Sequence, residues 1–400
     1  MRRYRVACVV DHPAQYFAPL FQRLSRLPQI DLTVYFLTDF SASNYYDTGF
    51  GVSVKWDVPL LEGYRHEFLP ALLPFDQSPS FWKPLSYGIS GRLRRGSYDA
   101  LMVHGYAHNT TLRAIAAAKM NGIKVLFRGE SNLINRSLTG SKEWLRYRVL
   151  RNLFSKVDGF LAIGTLNREF YRHYGAPEHK IFMMPYSVDN DVFQAGAREA
   201  RSHREQLRAE LGLERDRPVI LFASKFQPRK HPDHLLEAYA RLSPDGKQEP
   251  RPYLVFVGEG ELRHRLEQRI GELGWKTIKM LGFKNQSELP RYYDLCDVFV
   301  LPSSGEPWGL VINEAMNVGK PVITTDQVGA AADLVRDGEN GFVVAAGDIE
   351  ALSKRLLILT TVPGLAAAMG ERSSKRIDTW GLKETAAGLL QALTTAVGTG

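Results

Sequence analysis

Two cysteines in 400 residues exclude a disulfide framework. Cys8 and Cys296 each sit in an apolar run, where a thiol serves as a small buried hydrophobe, and the expected compartment is a reducing cytoplasm. Long apolar runs are missing too: no window approaches the ~18 residues of a membrane-spanning helix. The first apolar stretch, 6–10, breaks at Asp11 and His12, so it predicts neither the apolar region nor the cleavage site of a signal sequence. Zinc-ligand spacing, nucleic-acid modules, internal repeats and low-complexity segments do not occur. The glycine corner Phe256-Val-Gly258-Glu-Gly260-Glu261 lacks a complete Gly-x-Gly-x-x-Gly, which counts against a dinucleotide fingerprint.

What the chain does have is globular composition, 44% apolar and 24% charged, and a length suited to two domains of about 200 residues each. Its net charge of +8 is spread along the chain and predicts attraction to an anion. Without a nucleic-acid module, acidic lipid or a phosphorylated small molecule is favoured over nucleic acid. Short β-branched runs alternate with helical segments. Strands are predicted at 5–10, 32–37, 100–104, 124–128, 159–163 and 181–184, then at 219–223, 253–257, 297–301, 321–325 and 341–344. Runs such as Val219-Ile-Leu-Phe-Ala223 are apolar throughout, as strands covered on both faces are, so parallel sheets built from βαβ units are expected. A charged segment, 197–217, separates the two series, and the domain boundary is placed near residue 190. Segments 43–69 and 72–97 read as too irregular for core strands or helices; they are either binding-site loops or ordinary loops with their own small clusters.

The most informative stretch is Asp297-Val-Phe-Val-Leu-Pro-Ser-Ser-Gly-Glu306-Pro-Trp308-Gly309-Leu310-Val-Ile-Asn-Glu314. A buried strand, a short turn and a helix beginning near Trp308 or Gly309 form a corner at the carboxyl end of a parallel strand, where open α/β sheets bind ligands. Amides of Gly309, Leu310 and Val311 in the first helical turn can donate to phosphate oxygens. Glu306 lies before the helix and Glu314 in its second turn, which suits a reacting sugar and a ribose diol respectively. The alternative is an acid near the N-cap and a solvated helix residue. A second cluster, Phe222-Ala-Ser-Lys225-Phe-Gln-Pro-Arg229-Lys230, places cations directly after a core strand; with the helix N-terminus it describes an anion clamp for a departing diphosphate.

These residues resemble glycosyltransferase family 4, the retaining GT-B enzymes also called glycosyl transferases group 1. The resemblance rests on the spacing of Glu306 and Glu314, Pro307-Trp-Gly-Leu310, Asn313-Glu-Ala-Met316, Lys225 with Lys230, and Val257-Gly-Glu-Gly260. Gly282-Phe283, Tyr293 with Asp297-Val-Phe-Val-Leu-Pro-Ser303, Gly319-Lys-Pro-Val-Ile323 and Asp337-Gly-Glu-Asn-Gly341 add to it. It is most specific over 218–345 and weaker over the rest. It implies an α/β fold of two Rossmann-like domains whose parallel sheets face an interdomain cleft. An acceptor-side domain would span 1–190 and a donor domain 191–380, with a C-terminal helix, 381–400, packing back on the first. The resemblance also assigns roles. Lys225 and Lys230 would bind the donor diphosphate, and Glu306 would support the reacting sugar. The backbone at Trp308, Gly309 and Leu310 would hold sugar and phosphate, Glu314 the ribose hydroxyls, and Gly258 and Phe283 would complete the nucleotide site, Phe283 near the base. Lys225 stands where the family usually has arginine, so the planar fork for bidentate phosphate contact is missing.

In the first half, the loop Asp11-His12-Pro-Ala-Gln-Tyr16 replaces the glycine-rich loop of many relatives. His104 closes a strand where the family often has a histidine on the sugar, and His108 competes for that role. Arg128-Gly-Glu130-Ser-Asn132 ends the next strand. His12, Tyr16, His108, Glu130 and Asn132 are candidates to face the acceptor, unless Arg128 and Glu130 merely pair. Asp189-Asn-Asp191 mimics a metal motif but reads as a helix cap.

The expected reaction is retaining transfer of a hexosyl-type sugar from a UDP- or GDP-linked donor to a saccharide or lipid-linked hydroxyl. The products would feed polysaccharide, lipopolysaccharide or glycolipid synthesis. No tightly bound cofactor and no metal is expected. The basic amphipathic helix at 142–157 packs on its own sheet or lies on anionic membrane, making the protein cytoplasmic with peripheral membrane contact as an option. A sugar-nucleotide epimerase, a nicotinamide oxidoreductase and a non-catalytic two-lobed binding protein are the rival readings.

Overall fold

In a computed structural model the chain is described at residues 2–73, 75, 77, 80–134, 140–242 and 251–398. It divides into two compact units. One comprises Met1–Tyr45, Val54–Tyr186 and Leu382–Gly400, the other Tyr46–Ser53 and Ser187–Gly381.

The first half of the chain supplies β1 (Tyr4–Val10), β2 (Ile30–Phe36), a hairpin of β3 (Tyr45–Asp47) and β4 (Val52–Val54), then β5 (Arg65–Phe68). A ribbon of β6 (Ala71–Leu73) and β7 (Leu85–Ser86) follows, then β8 (Ala100–His104), β9 (Lys124–Arg128), β10 (Gly159–Ala162) and β11 (Ile181–Met183). Among the described residues the first unit's main sheet runs β11-β10-β9-β8-β1-β2-β5, and each neighbouring pair is parallel. Residues Val6–Val10 are almost wholly buried, as a strand covered on both faces requires. From β1 the chain proceeds outward to β2 and β5, then returns to β8 and proceeds the other way. The order therefore reverses between β1 and β8, and Asp11, His12 and His104 lie at the carboxyl ends that flank this point.

The second unit repeats the scheme with β12 (Val219–Ala223), β13 (Tyr253–Val257), β14 (Ile278–Met280), β15 (Val298–Leu301), β16 (Val322–Thr325) and β17 (Gly341–Val344). Its order is β14-β13-β12-β15-β16-β17, again parallel throughout. Here the reversal falls between β12 and β15. The loops leaving those two strands carry Lys225, Arg229 and Lys230 on one side and Glu306 on the other.

Several expectations need correction. Segments 43–69 and 72–97 contain β5 and the helix Ile89–Gly96. Strands β5 and β14 lie outside the strands expected from sequence because they carry charge, reading Arg-His-Glu-Phe and Ile-Lys-Met; the opposite edge strands β11 and β17, Ile-Phe-Met and Gly-Phe-Val-Val, keep the apolar signal. The units meet between Tyr186 and Ser187, near residue 190, but the first unit does not hold 46–53. That hairpin tip groups with the second unit because Asp47 binds the Lys225 ammonium at 2.7 Å and the Phe50 ring meets Phe283 at 4.9 Å.

The helix Leu382–Val397 belongs to the first unit, where Thr385 Oγ1 donates to the Pro185 carbonyl at 2.8 Å. A Cβ on Gly388 would stand 2.0 Å from the Met183 carbonyl oxygen, so only glycine lets this helix lie so close to β11. Asp189 caps the helix Asn190–Ser202, its carboxylate accepting from the Val192 amide at 3.3 Å.

Candidate active site

At the second unit's switch point the chain leaves β12 at Ala223 and turns through the short 3₁₀ helix Pro228–Lys230 into the helix Pro232–Ala240. His231, at the turn, takes a left-handed φ of +48°, a strained value for a residue with a Cβ. The turn drives Lys230 inward, where it is 7% exposed. Its ammonium donates to Glu306 Oε2, and Arg229 Nη1 donates to the same oxygen at 2.6 Å. Burial pushes the Lys230 ammonium below its ordinary value, against the attraction of Glu306. The two loops are tied a second time by the Ser304 amide on the Arg229 carbonyl, 2.8 Å, and by His231 Nε2 on Ser304 Oγ, 2.7 Å. Of the expected cations, Lys230 and Arg229 meet the first glutamate as an ion cluster in which Glu306 holds both in place, whereas Lys225 pairs with Asp47. Arg229, read from the sequence as one cation of the anion clamp, is part of that cluster.

Glu314 is not a solvated helix residue. It lies in the helix Leu310–Asn317, 7% exposed, and accepts from the Tyr293 hydroxyl at 2.6 Å. Burial pushes its carboxyl up to about 7, opposed by hydrogen bonds from Tyr293 and Gln286. The Tyr293 hydroxyl is itself pushed well above its usual range by burial beside this carboxylate. Tyr293 stands in the sequence pattern, but its partner lies 21 positions further on, and only the fold brings the two together. Gly309 precedes the helix with φ +95°, leaving the first-turn amides of Leu310 and Val311 without intrahelical acceptors. The Trp308 ring faces inward: it is 3% exposed, donates to Asn313 Oδ1 at 2.9 Å and stacks on Trp380 at 5.6 Å. Gly258 is demanded by packing, since with φ +142° its Cβ would sit 2.0 Å from the Ser224 carbonyl oxygen.

In the first unit, Asp11 follows β1 and pairs with His108 Nε2 at 3.2 Å. This bond holds the His108 imidazole above its ordinary value despite partial burial. Asp11, His12, Phe75, Phe81 and His108 line a cavity of about 460 Å³. The His12 ring stacks on Phe75 at 6.4 Å and meets Phe40 edge-on at 5.6 Å. His104 lies apart from these, its ring edge-on to Phe17 at 4.7 Å. Burial and the nearby Arg128 push it well below its ordinary value, so it is neutral, and its Nε2 is buried without a partner.

Arg128 is buried with its guanidinium 5.2 Å from the Tyr186 ring centroid, while the Tyr186 hydroxyl donates to Glu130 at 2.7 Å. Tyr16 meets Tyr186 edge-on at 5.8 Å. Asn132 accepts from the Ile134 amide at 3.1 Å, and its Nδ2 is buried without a partner. The structure thus gathers Tyr16 and Glu130 around Tyr186, and His12 with His108 at the cavity.

One cluster was not flagged by sequence spacing. His231, Asp233 and His234 bring potential ligand atoms within 4.8 Å of one another. The two imidazoles are stacked face to face, 4.1 Å apart and 13° from parallel. Ligand lone pairs lie in the ring planes, so planes this close to parallel do not converge on one ion. As posed, the trio is not a chelate.

Residues 203–376 match the family model of the glycosyl transferases group 1. Over 239 residues the chain is 31% identical to a D-inositol 3-phosphate glycosyltransferase of Streptomyces scabiei (strain 87.22), which covers 57% of this chain and 52% of that protein. It is 26% identical over 315 residues to the putative glycosyltransferase EpsD of Bacillus subtilis (strain 168), covering 76% and 78%. The chain spans about half the length of the first of these relatives. Anabaena HepE, solved in complex with UDP and glucose, matches with a TM-score of 0.72 at 17% identity over 98% of this chain and 100% of that one. The fold is that of the GT-B glycosyltransferases.

Proposed function

We propose that the chain, whose residues 203–376 match the family model of the glycosyl transferases group 1, is a retaining transferase moving a hexosyl-type sugar from a nucleoside-diphosphate donor. The observation that carries the reading is the meeting of Arg229 and Lys230 with Glu306 at the β12–β15 switch point, beside a helix N-terminus. Cations and open amides at one point suit a diphosphate that gains charge as it leaves. Glu306 keeps Lys230 charged while the site is empty and then faces the transferred sugar. Glu314, deeper in the helix, accepts from the ribose hydroxyls. In this scheme the residues of the chain supply the leaving-group stabilisation themselves, without a required metal.

The acceptor is a saccharide or lipid-linked hydroxyl, in polysaccharide, lipopolysaccharide or glycolipid assembly, and the His12–His108 cavity is where it docks. Aromatic rings beside polar groups suit a sugar with both apolar faces and hydroxyls. A lipid-linked acceptor is favoured by the helix Gly140–Phe154. It packs through Leu150 and Phe154 yet leaves Trp144, Leu145 and Val149 exposed among arginines. The contact in this reading is peripheral, at the cytoplasmic face; among the described residues no single helix is long and apolar enough to cross a membrane. Sedimentation with anionic vesicles checks this part, and absence of binding removes it.

The central test is a thermal-shift panel of UDP, GDP, ADP, CMP and NAD, each with and without magnesium. UDP comes first because HepE, which shares the fold, was solved with it. A ligand at 100 times its dissociation constant adds about 2.7 kcal/mol of stability. A shift with one nucleoside diphosphate, unchanged by magnesium, supports the reading. A shift with NAD alone, or with none, rejects it.

A further inference from the structure

The tip of the β3–β4 hairpin lies on the very residues assigned to the donor. Asp47 sets both carboxylate oxygens on the Lys225 ammonium, at 2.7 and 3.0 Å. The same carboxylate accepts from the amides of Gly49 and Phe50 at 2.8 and 2.9 Å, which fixes its direction. The Asp47 carboxyl is held below its ordinary value: burial raises it, and Lys225 with the two amides more than offsets that. One side of the Phe50 ring carries the Lys225 ammonium, 4.4 Å from the ring centroid, and its edge meets Phe283 at 4.9 Å. Space at the tip is tight, for a Cβ on Gly49 would stand 2.8 Å from Lys225 Nζ. A single loop thus presents an anion to the phosphate-binding lysine and an aromatic ring to the residue beside the base.

We propose that this hairpin tip, residues 46–53, is a built-in stand-in for the donor: Asp47 occupies the phosphate position on Lys225, Phe50 occupies the base position on Phe283, and nucleotide binding exchanges both for the ligand. The inference rests on the donor reading above. Charge balance favours the exchange, since Lys225 trades one anion for another and is never left bare in a half-buried site. The competitor also sets a selectivity: a ligand must bring both an anion and a flat ring to displace both contacts. Free phosphate or a nucleoside alone removes only one of them. Apparent affinity at each position is lowered by the fraction of molecules in which that position's own contact, Asp47 on Lys225 or Phe50 on Phe283, is made.

Calorimetric titration with UDP, GDP and uridine tests this on the full chain. Asp47→Asn is nearly isosteric and keeps the carbonyl that accepts from Gly49 and Phe50, so the turn survives while the anion is lost. It is expected to tighten nucleoside diphosphate binding about threefold to tenfold and to leave uridine unchanged. Phe50→Ala is expected to tighten both. Hydrogen exchange of 46–53 should accelerate when UDP or GDP is added. Weaker binding by Phe50→Ala, or slower exchange at the tip, would mean that the hairpin closes over the nucleotide, and overturns the proposal. So does unchanged binding in both variants while Lys225→Ala still abolishes it; that result leaves the donor reading intact. If neither nucleotide binds the wild type or any variant, the donor reading itself fails and the stand-in fails with it.

Discussion

Glu314 offers the most direct check on the donor site, because its burial has a consequence for both stability and binding. Burial moves the carboxyl from an ordinary 4.5 to about 7. At ~1.4 kcal/mol per pH unit this amounts to about 3 kcal/mol between the folded and unfolded chains. The folded state holds the proton more tightly, so the stabilisation is complete below pH 4.5 and is lost as the pH rises through about 7. Glu314→Gln keeps a group that can accept from Tyr293 and does not titrate. Scanning calorimetry at pH 5 and pH 8 should show the wild type losing up to about 3 kcal/mol relative to the variant in the second unit's transition. The two units are separate cores, so the transition that the substitution moves is the one to follow.

Ligand binding should respond in the opposite sense. A ribose diol donates to the carboxylate and favours the anion, so UDP should bind up to about tenfold more weakly at pH 6 than at pH 8, and the variant should lose that dependence. Parallel stability profiles in the wild type and Glu314→Gln would refute the burial argument. A pH-independent wild-type affinity would remove Glu314 from the ribose site.

Lys230→Ala should lower turnover about 100-fold or more, as loss of one charge-stabilising donor does, in a transfer assay with the nucleotide sugar that the thermal-shift panel selects; an unchanged rate would take it out of the mechanism. Glu306→Gln leaves the buried Lys230 ammonium with no carboxylate and should cost about 3 kcal/mol or more by calorimetry. Adding Lys230→Met to that variant should recover much of the loss, because the unpaired charge is gone. Gly258→Ala places a methyl 2.0 Å from the Ser224 carbonyl oxygen and should destabilise the second unit by about 2 kcal/mol or more, measured by urea unfolding.

Much of the architecture was legible in the sequence for a physical reason. Strands such as Val219–Ala223 and Tyr253–Val257 are buried on both faces, so each reads as an unbroken apolar run. The β15-to-helix corner with Glu306, Gly309 and Glu314 was readable because its parts are adjacent in the chain. The edge strands β5 and β14 were not, since they carry charge and lose the signal.

Only the tertiary structure decided who meets whom. That Lys230 and Arg229 share one oxygen of Glu306 follows from strands β12 and β15 lying side by side, a pairing across many residues that local composition does not encode, and that Tyr293 holds Glu314 follows from the packing of the helices Leu289–Leu295 and Leu310–Asn317 on either side of β15 in the chain. The same holds for Asp47 on Lys225, 178 positions apart. A sequence states which groups the chain owns; burial, charge state and partner are properties of the space between elements, and that space exists only after folding.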